Sequence, residues 1–171
     1  LDVFVVRKLG VPGHEELALG AIASGGVRVL NDEIVASLEL SPEAIERVTA
    51  AEREELARRE RAFRGDVAPP VVAGREVLLV DDGLATGATM AAAVAGLRRL
   101  NPRRIVVAAP VASTDAAAAM RRDADDVITL GTPSPFHGVG AWYDDFRQTT
   151  DAEVQELLIA ARGRQGAEGA A

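Results

Sequence analysis

The run from Val77 to Met90, VLLVDDGLATGATM, constrains this chain more than any other stretch. Val77, Leu78, Leu79 and Val80 follow one another without a polar break, the pattern of a strand buried on both faces of a parallel sheet. Asp81 and Asp82 stand where such a strand ends. A loop of small residues, Gly83 to Thr89, carries two glycines and two threonines, and a helix-forming run from Met90 to Leu100 follows at once. Strand, acidic pair, tight loop and helix start in this order describe a site at the carboxyl edge of an α/β sheet, where such folds bind ligands. Gly87 lets the backbone approach a ligand closely, and the amides ahead of Met90 point outward as anion donors. Thr86 and Thr89 add hydroxyls. The loop suits a phosphate, and the carboxylates suit sugar hydroxyls or Mg²⁺.

The flanks read as alternating strands and helices. Leu1 to Val6 is a strand ending in Arg7 and Lys8, two cations at the sheet edge; Lys8 is the only lysine beside eighteen arginines. Gly10 to Gly26 holds five glycines and Pro12, and predicts a loop or loose hairpin rather than a regular element. Val27 to Leu30 is a short strand. Ser41, Pro42 and Glu43 form a helix start, with a Ser cap and Pro in the first turn, and the helix stops at Gly65. Its Arg/Glu-rich stretch from Ala57 to Arg64 reads as a solvated face suited to a dimer contact, because glutamates interleave with the arginines. Glu43/Arg47, Glu54/Arg58 and Glu55/Arg59 have the favourable four-residue spacing.

Beyond the central motif, Ile105 to Ala109 and Val127 to Leu130 are further buried strands, with a helix over Ser113 to Arg122 between them. This alternation implies parallel strands joined by right-handed crossovers. Ser113, Thr114 and Asp115 read as a helix cap. The segment from Gly131 to Phe146 holds the only Trp and Tyr of the chain. A last helix runs from Thr150 to Ala161, giving one domain over 1–162 and a frayed tail over 163–171.

Composition narrows the function classes. A net charge of −7 and a pI near 4.9 argue against a general nucleic-acid binder. The absence of cysteine excludes disulfides and thiol nucleophiles. No apolar run approaches the roughly 20 residues that span a bilayer, and no basic-then-apolar leader is present, so no membrane partner and a cytoplasmic location are expected. A phosphoreceiver domain also opens on an apolar run and two acids, but it needs a lysine at a later strand end, and Lys8 lies upstream. The P-loop and nucleophile-elbow patterns are absent.

VLLVDDGLATGAT is similar to the phosphoribosyl-pyrophosphate (PRPP) motif of the type I phosphoribosyltransferases, and the order of the other segments resembles the same family over most of the chain. Gly83 departs mildly, since many members carry a branched apolar residue there. The resemblance implies an α/β fold with a mostly parallel, Rossmann-like sheet flanked by helices. It also implies transfer of the phosphoribosyl group from PRPP to a nitrogen base with loss of pyrophosphate, and Mg²⁺ as cofactor. Asp81 and Asp82 would hold the ribose and the metal, and Ala85, Thr86, Gly87, Ala88 and Thr89 the 5′-phosphate. Arg7 and Lys8 resemble a strand end that helps hold pyrophosphate. Glu16 falls in a segment similar to a mobile catalytic lid in a bacterial subgroup, with His14 and Glu15 beside it. Phe136 or Trp142 would stack on the base. Members of the family begin with a strand, a pyrophosphate-binding loop and a helix for which this chain shows no counterpart. Two explanations are therefore expected to compete: a truncated piece of a working transferase, or a family relative that binds PRPP or a nucleotide without turnover as a regulatory module.

Overall fold

The computed structural model describes residues 1–168, apart from the side chains at 16 and 164–168. The chain forms two sheets. The first is antiparallel: β1 (Val6–Val11), β2 (His14–Ala23) and β3 (Val27–Leu30) lie in that order, with Arg7 opposite Ile22 and Ile22 opposite Arg28. The glycine-rich segment is thus a hairpin, one of the two forms expected, but its second strand is a regular ten-residue element where none was expected. Its glycines serve the turn at Pro12–Gly13 and a register shift near Gly10. Residues 1–5 precede the first strand instead of forming it.

One face of this sheet packs on the long helix α2 (Pro42–Arg64), which follows the short helix α1 (Asp32–Ser37). Val5, Leu9, Val11, Leu19 and Ile22 meet Ile45 and Leu56 there. Ser41 caps α2 through the Ala44 amide at 3.2 Å, with Pro42 in the first turn, as the sequence predicts. Arg58 and Arg59 both pair with Glu55, on the solvated face. Arg64 departs from that reading. Its side chain is only 5% exposed, paired with Asp2 at 2.7 Å and Glu60 at 3.0 Å and donating to the Val3 carbonyl, so it ties the amino-terminal segment to α2.

The second sheet is parallel and carries the site. β4 (Glu76–Val80) continues into the short β5 (Gly83–Leu84), and both pair with β6 (Arg104–Ala112), whose other edge takes β7 (Asp126–Gly131). The crossovers α3 (Ala88–Arg99) and α4 (Thr114–Asp123) cover one face, where Met90, Val94, Leu97, Ala117 and Met120 bury Ile105 and Val107. The expected α/β fold with a helix-flanked parallel sheet is the one observed. The opposite face differs from the expectation of a strand buried on both sides. Leu78, Val80, Ile128 and Leu130 are 60%, 65%, 51% and 87% exposed, and among the described residues no strand pairs with the outer edge of β4. α5 (Asp151–Glu168) docks against α2, where Gln155 donates to the Ala62 carbonyl. Of the tail expected over 163–171, 163–168 continue α5 and 169–171 lie outside the described residues.

Candidate active site

The acidic pair is held by the sheet itself. The Asp81 amide donates to the Ala108 carbonyl at 3.1 Å, extending the parallel ladder one residue past β4. Its carboxylate is partly buried and accepts the Asp82 amide at 3.0 Å. Burial raises the Asp81 carboxyl above the usual range; the bond from the Asp82 amide opposes that shift, and the neighbouring Asp82 charge adds to it. Asp82 is exposed. Two adjacent carboxylates, one disfavoured as an anion, form an oxygen donor set that a divalent cation would relieve. Among the described residues no third acid or histidine joins them, so a metal held here would depend on ligand oxygens as well.

From this pair the chain turns into α3 through a conformation that needs glycine. Gly87 lies in the left-handed region at φ 73°, ψ 2°, at the helix N-cap, and no side chain caps the helix there. Thr86 Oγ1 accepts the Ala88 amide only at 3.4 Å. The first-turn amides at 88–90 and the positive end of a twelve-residue helix therefore face outward beside Thr86 and Thr89, both exposed. Ser113 clamps the base of this loop. Its amide donates to the Leu84 carbonyl at 2.8 Å and its hydroxyl to the Ala85 carbonyl at 2.7 Å, while the same oxygen accepts the Ala116 amide at 3.1 Å and caps α4.

The two cations of β1 part company. Side chains alternate along a strand, so Arg7 turns to α2 and pairs with Glu52 at 2.7 Å, whereas Lys8 turns to α3. There Lys8, Ala88 and Thr89 line one cleft of about 670 Å³ between the antiparallel sheet and α3. The structure thus puts Lys8 on the same cleft as the start of α3 and holds Arg7 on the opposite face. Glu16 lies on β2, and its side chain is outside the described residues. His14 and Glu15 are exposed at the hairpin tip.

The family profile described as "Phosphoribosyl transferase domain" matches residues 12–141, three quarters of the chain and the whole acidic loop. The chain belongs to the phosphoribosyl transferase family. It is 44% identical over 161 residues to Rv0571c and MT0597, proteins from two strains of Mycobacterium tuberculosis whose names give them provisionally as phosphoribosyl transferases. The match covers 94% of this chain and 36% of each relative, so the chain spans about a third of their length. The crystal structure of TT1426 from Thermus thermophilus is similar with a TM-score of 0.83 and 41% identity, over 94% of this chain and 76% of that one.

On this phosphoribosyl transferase domain there is a second cleft, of about 460 Å³, which shares Tyr143 with the Asp82 main chain. It lies between the ends of β6 and β7, at Pro110, Val111, Leu130 and Gly131, and is bordered by Trp142, the last residue of the 3₁₀ turn Val139–Trp142, and by Tyr143 just after it. Trp142 is half exposed; Phe136 is partly buried in the preceding segment and is not among the residues that line the cleft. Sequence reasoning missed two supports of the site. Ser113 reads as an ordinary cap, and its second bond to Ala85 depends on β5 lying beside the end of β6. Tyr143 donates its hydroxyl to the Asp82 carbonyl at 2.7 Å across sixty-one residues of chain, a contact with no local signature.

Proposed function

We propose that this domain transfers the 5-phosphoribosyl group from PRPP to a nitrogen base, with pyrophosphate as the leaving group. One observation carries the reading: an acidic pair with Asp81 partly buried is fixed to β6, and the loop that follows it to an uncapped helix start is fixed by Ser113. In this assignment Asp81 and Asp82 accept hydrogen bonds from the ribose hydroxyls. Ala85, Thr86, Gly87, Ala88 and Thr89 wrap the 5′-phosphate, with backbone amides and hydroxyls as donors. Lys8, across the first cleft, meets the pyrophosphate end, and Arg7 acts there only if its pair with Glu52 opens.

Bond breaking at the anomeric carbon leaves positive charge on the sugar and negative charge on the leaving group. Fixed carboxylates near the sugar and a cation near the pyrophosphate stabilise both. Mg²⁺, held by Asp81 and Asp82 together with PRPP oxygens, would supply further neutralisation of the leaving group. The cleft at Trp142 has the size of a small-ligand site and offers an aromatic face to a heterocycle; Phe136 is not in its lining, so Trp142 is the stacking candidate. The β1–β2 hairpin, with Glu16 on its second strand, is the element that would close over the reacting atoms and exclude water.

Calorimetric titration of PRPP with Mg²⁺ tests this reading, with Asp81→Asn/Asp82→Asn as the control. Saturable binding that the double change abolishes is expected, followed by pyrophosphate release with one of a panel of purine and pyrimidine bases. A folded chain that shows no binding would refute the assignment. Binding without release from any base would favour the regulatory reading.

A further inference from the structure

The sugar side and the acceptor side of the site are joined by a contact that neither role requires. Tyr143 lines the second cleft and also donates to the main-chain carbonyl of Asp82 at 2.7 Å. Its ring packs on Phe146 with centroids 5.2 Å apart. One residue further on, Gly83 has no side chain where one would collide with the same turn. A Cβ there would sit 2.5 Å and 2.7 Å from the two Val139 methyls. Val139 thus fills the space that a branched residue at 83 would occupy, which explains why glycine stands at this point of the motif. The turn Val139–Trp142 is seated on the backbone of Asp82 and Gly83 by shape at one end and by a hydrogen bond at the other.

We propose that this turn is a latch that registers the acceptor cleft against the acidic pair, with Tyr143 as its positioning residue. The proposal rests on the phosphoribosyl reading of the acidic pair for its ligand, but not for its geometry. Binding that shifts the Asp82 main chain pulls on Tyr143, and Trp142 is its neighbour in the chain. Occupation of the acidic pair is then reported at the acceptor cleft before any base is present.

Trp142 is the only tryptophan of the chain, so its emission reads the latch directly. In the ligand-free chain, Tyr143→Phe and Gly83→Ala should each increase acrylamide quenching of Trp142, by up to about twofold because the residue is already 50% exposed. The double variant should add nothing to the larger single effect, since loosening either attachment releases the same turn. Val139→Ala in the Gly83→Ala background removes the two clashing methyls and should return quenching toward wild type. With PRPP and Mg²⁺ the wild-type emission should change. In Tyr143→Phe that response should be lost while the calorimetric heat of binding persists.

Additive single effects, or an unchanged response in Tyr143→Phe, overturn the latch and leave the transferase reading standing. If PRPP does not bind at all, the transferase reading fails, and the ligand-free quenching cycle alone decides the latch. Should Gly83→Ala fail to fold, Tyr143→Phe carries the test, and quenching unchanged from wild type overturns the latch.

Discussion

Replacing Gly87 by alanine isolates the backbone requirement of the loop proposed to hold the 5′-phosphate. At φ 73° and ψ 2° the residue sits in the left-handed region, where an L side chain costs about 1–2 kcal/mol. The space itself is tolerant: a Cβ would meet Ala116 Cβ at 3.5 Å and Met120 Cε at 3.8 Å, both ordinary contacts. The cost is therefore conformational and not steric. Alanine also stiffens the unfolded chain, which returns roughly 0.4–1 kcal/mol, so the net loss is about 1 kcal/mol. For a domain of this size that lowers Tm by roughly 2–4 °C. Asparagine tolerates the left-handed region and should lose less, while valine adds methyls toward Ala116 and should lose more. Thermal unfolding of the three variants gives the order directly. The effect on ligand should be larger than the effect on stability. If the loop relaxes out of its left-handed turn and one charge-assisted amide bond to phosphate is lost, roughly 1.5–3 kcal/mol goes with it, at least about tenfold in Kd. Equal stability for alanine, asparagine and valine would refute the conformational argument, and unchanged PRPP affinity in Gly87→Ala would refute the role of the loop amides.

Two further outcomes follow from the same geometry. Burial raises the Asp81 carboxyl in the fold, so the fold favours its protonated form and ionisation costs stability once the pH exceeds the unfolded value. Asp81→Asn should therefore raise Tm at neutral pH, with the gain vanishing in acid, while PRPP–Mg²⁺ binding is lost; wild-type binding should weaken on acidification earlier than an unshifted aspartate allows, and a neutral-pH Tm below wild type would contradict the assigned cause. Arg64→Ala should destabilise the chain by about 3 kcal/mol, the low end for breaking a buried pair because Asp2 and Glu60 are partly exposed and rehydrate; denaturant titration checks it, and a loss below about 1 kcal/mol would show that the Asp2–Arg64 tie is dispensable.

The central motif was legible because its signals are local. An unbroken apolar run, two acids, a glycine at the turn and a helix-forming stretch each report on residues within a few positions of themselves, and β4, the loop and α3 appear where they were expected. The Ser41 cap and the Gly65 stop are local in the same sense. The glycine-rich hairpin misled because glycine signals turns, whereas the strand propensity of β2 is realised only through pairing on both of its edges. Adjacent Arg7 and Lys8 look like one basic patch in the sequence, but the pleat of β1 sends them to opposite faces.

By itself, then, the order of residues determined the family, the parallel α/β unit and the chemistry offered at the strand end, since these depend on periodicity and on which donors and acceptors stand next to one another. Only the tertiary structure decided which of those groups meet. It left one face of the parallel sheet open at Leu78, Val80, Ile128 and Leu130, separated Lys8 from Arg7, set Ser113 under the loop and hung Tyr143 on the Asp82 carbonyl. Contacts across twenty-eight and sixty-one residues of chain depend on how strands are ordered and how elements pack, and no window of sequence contains both partners.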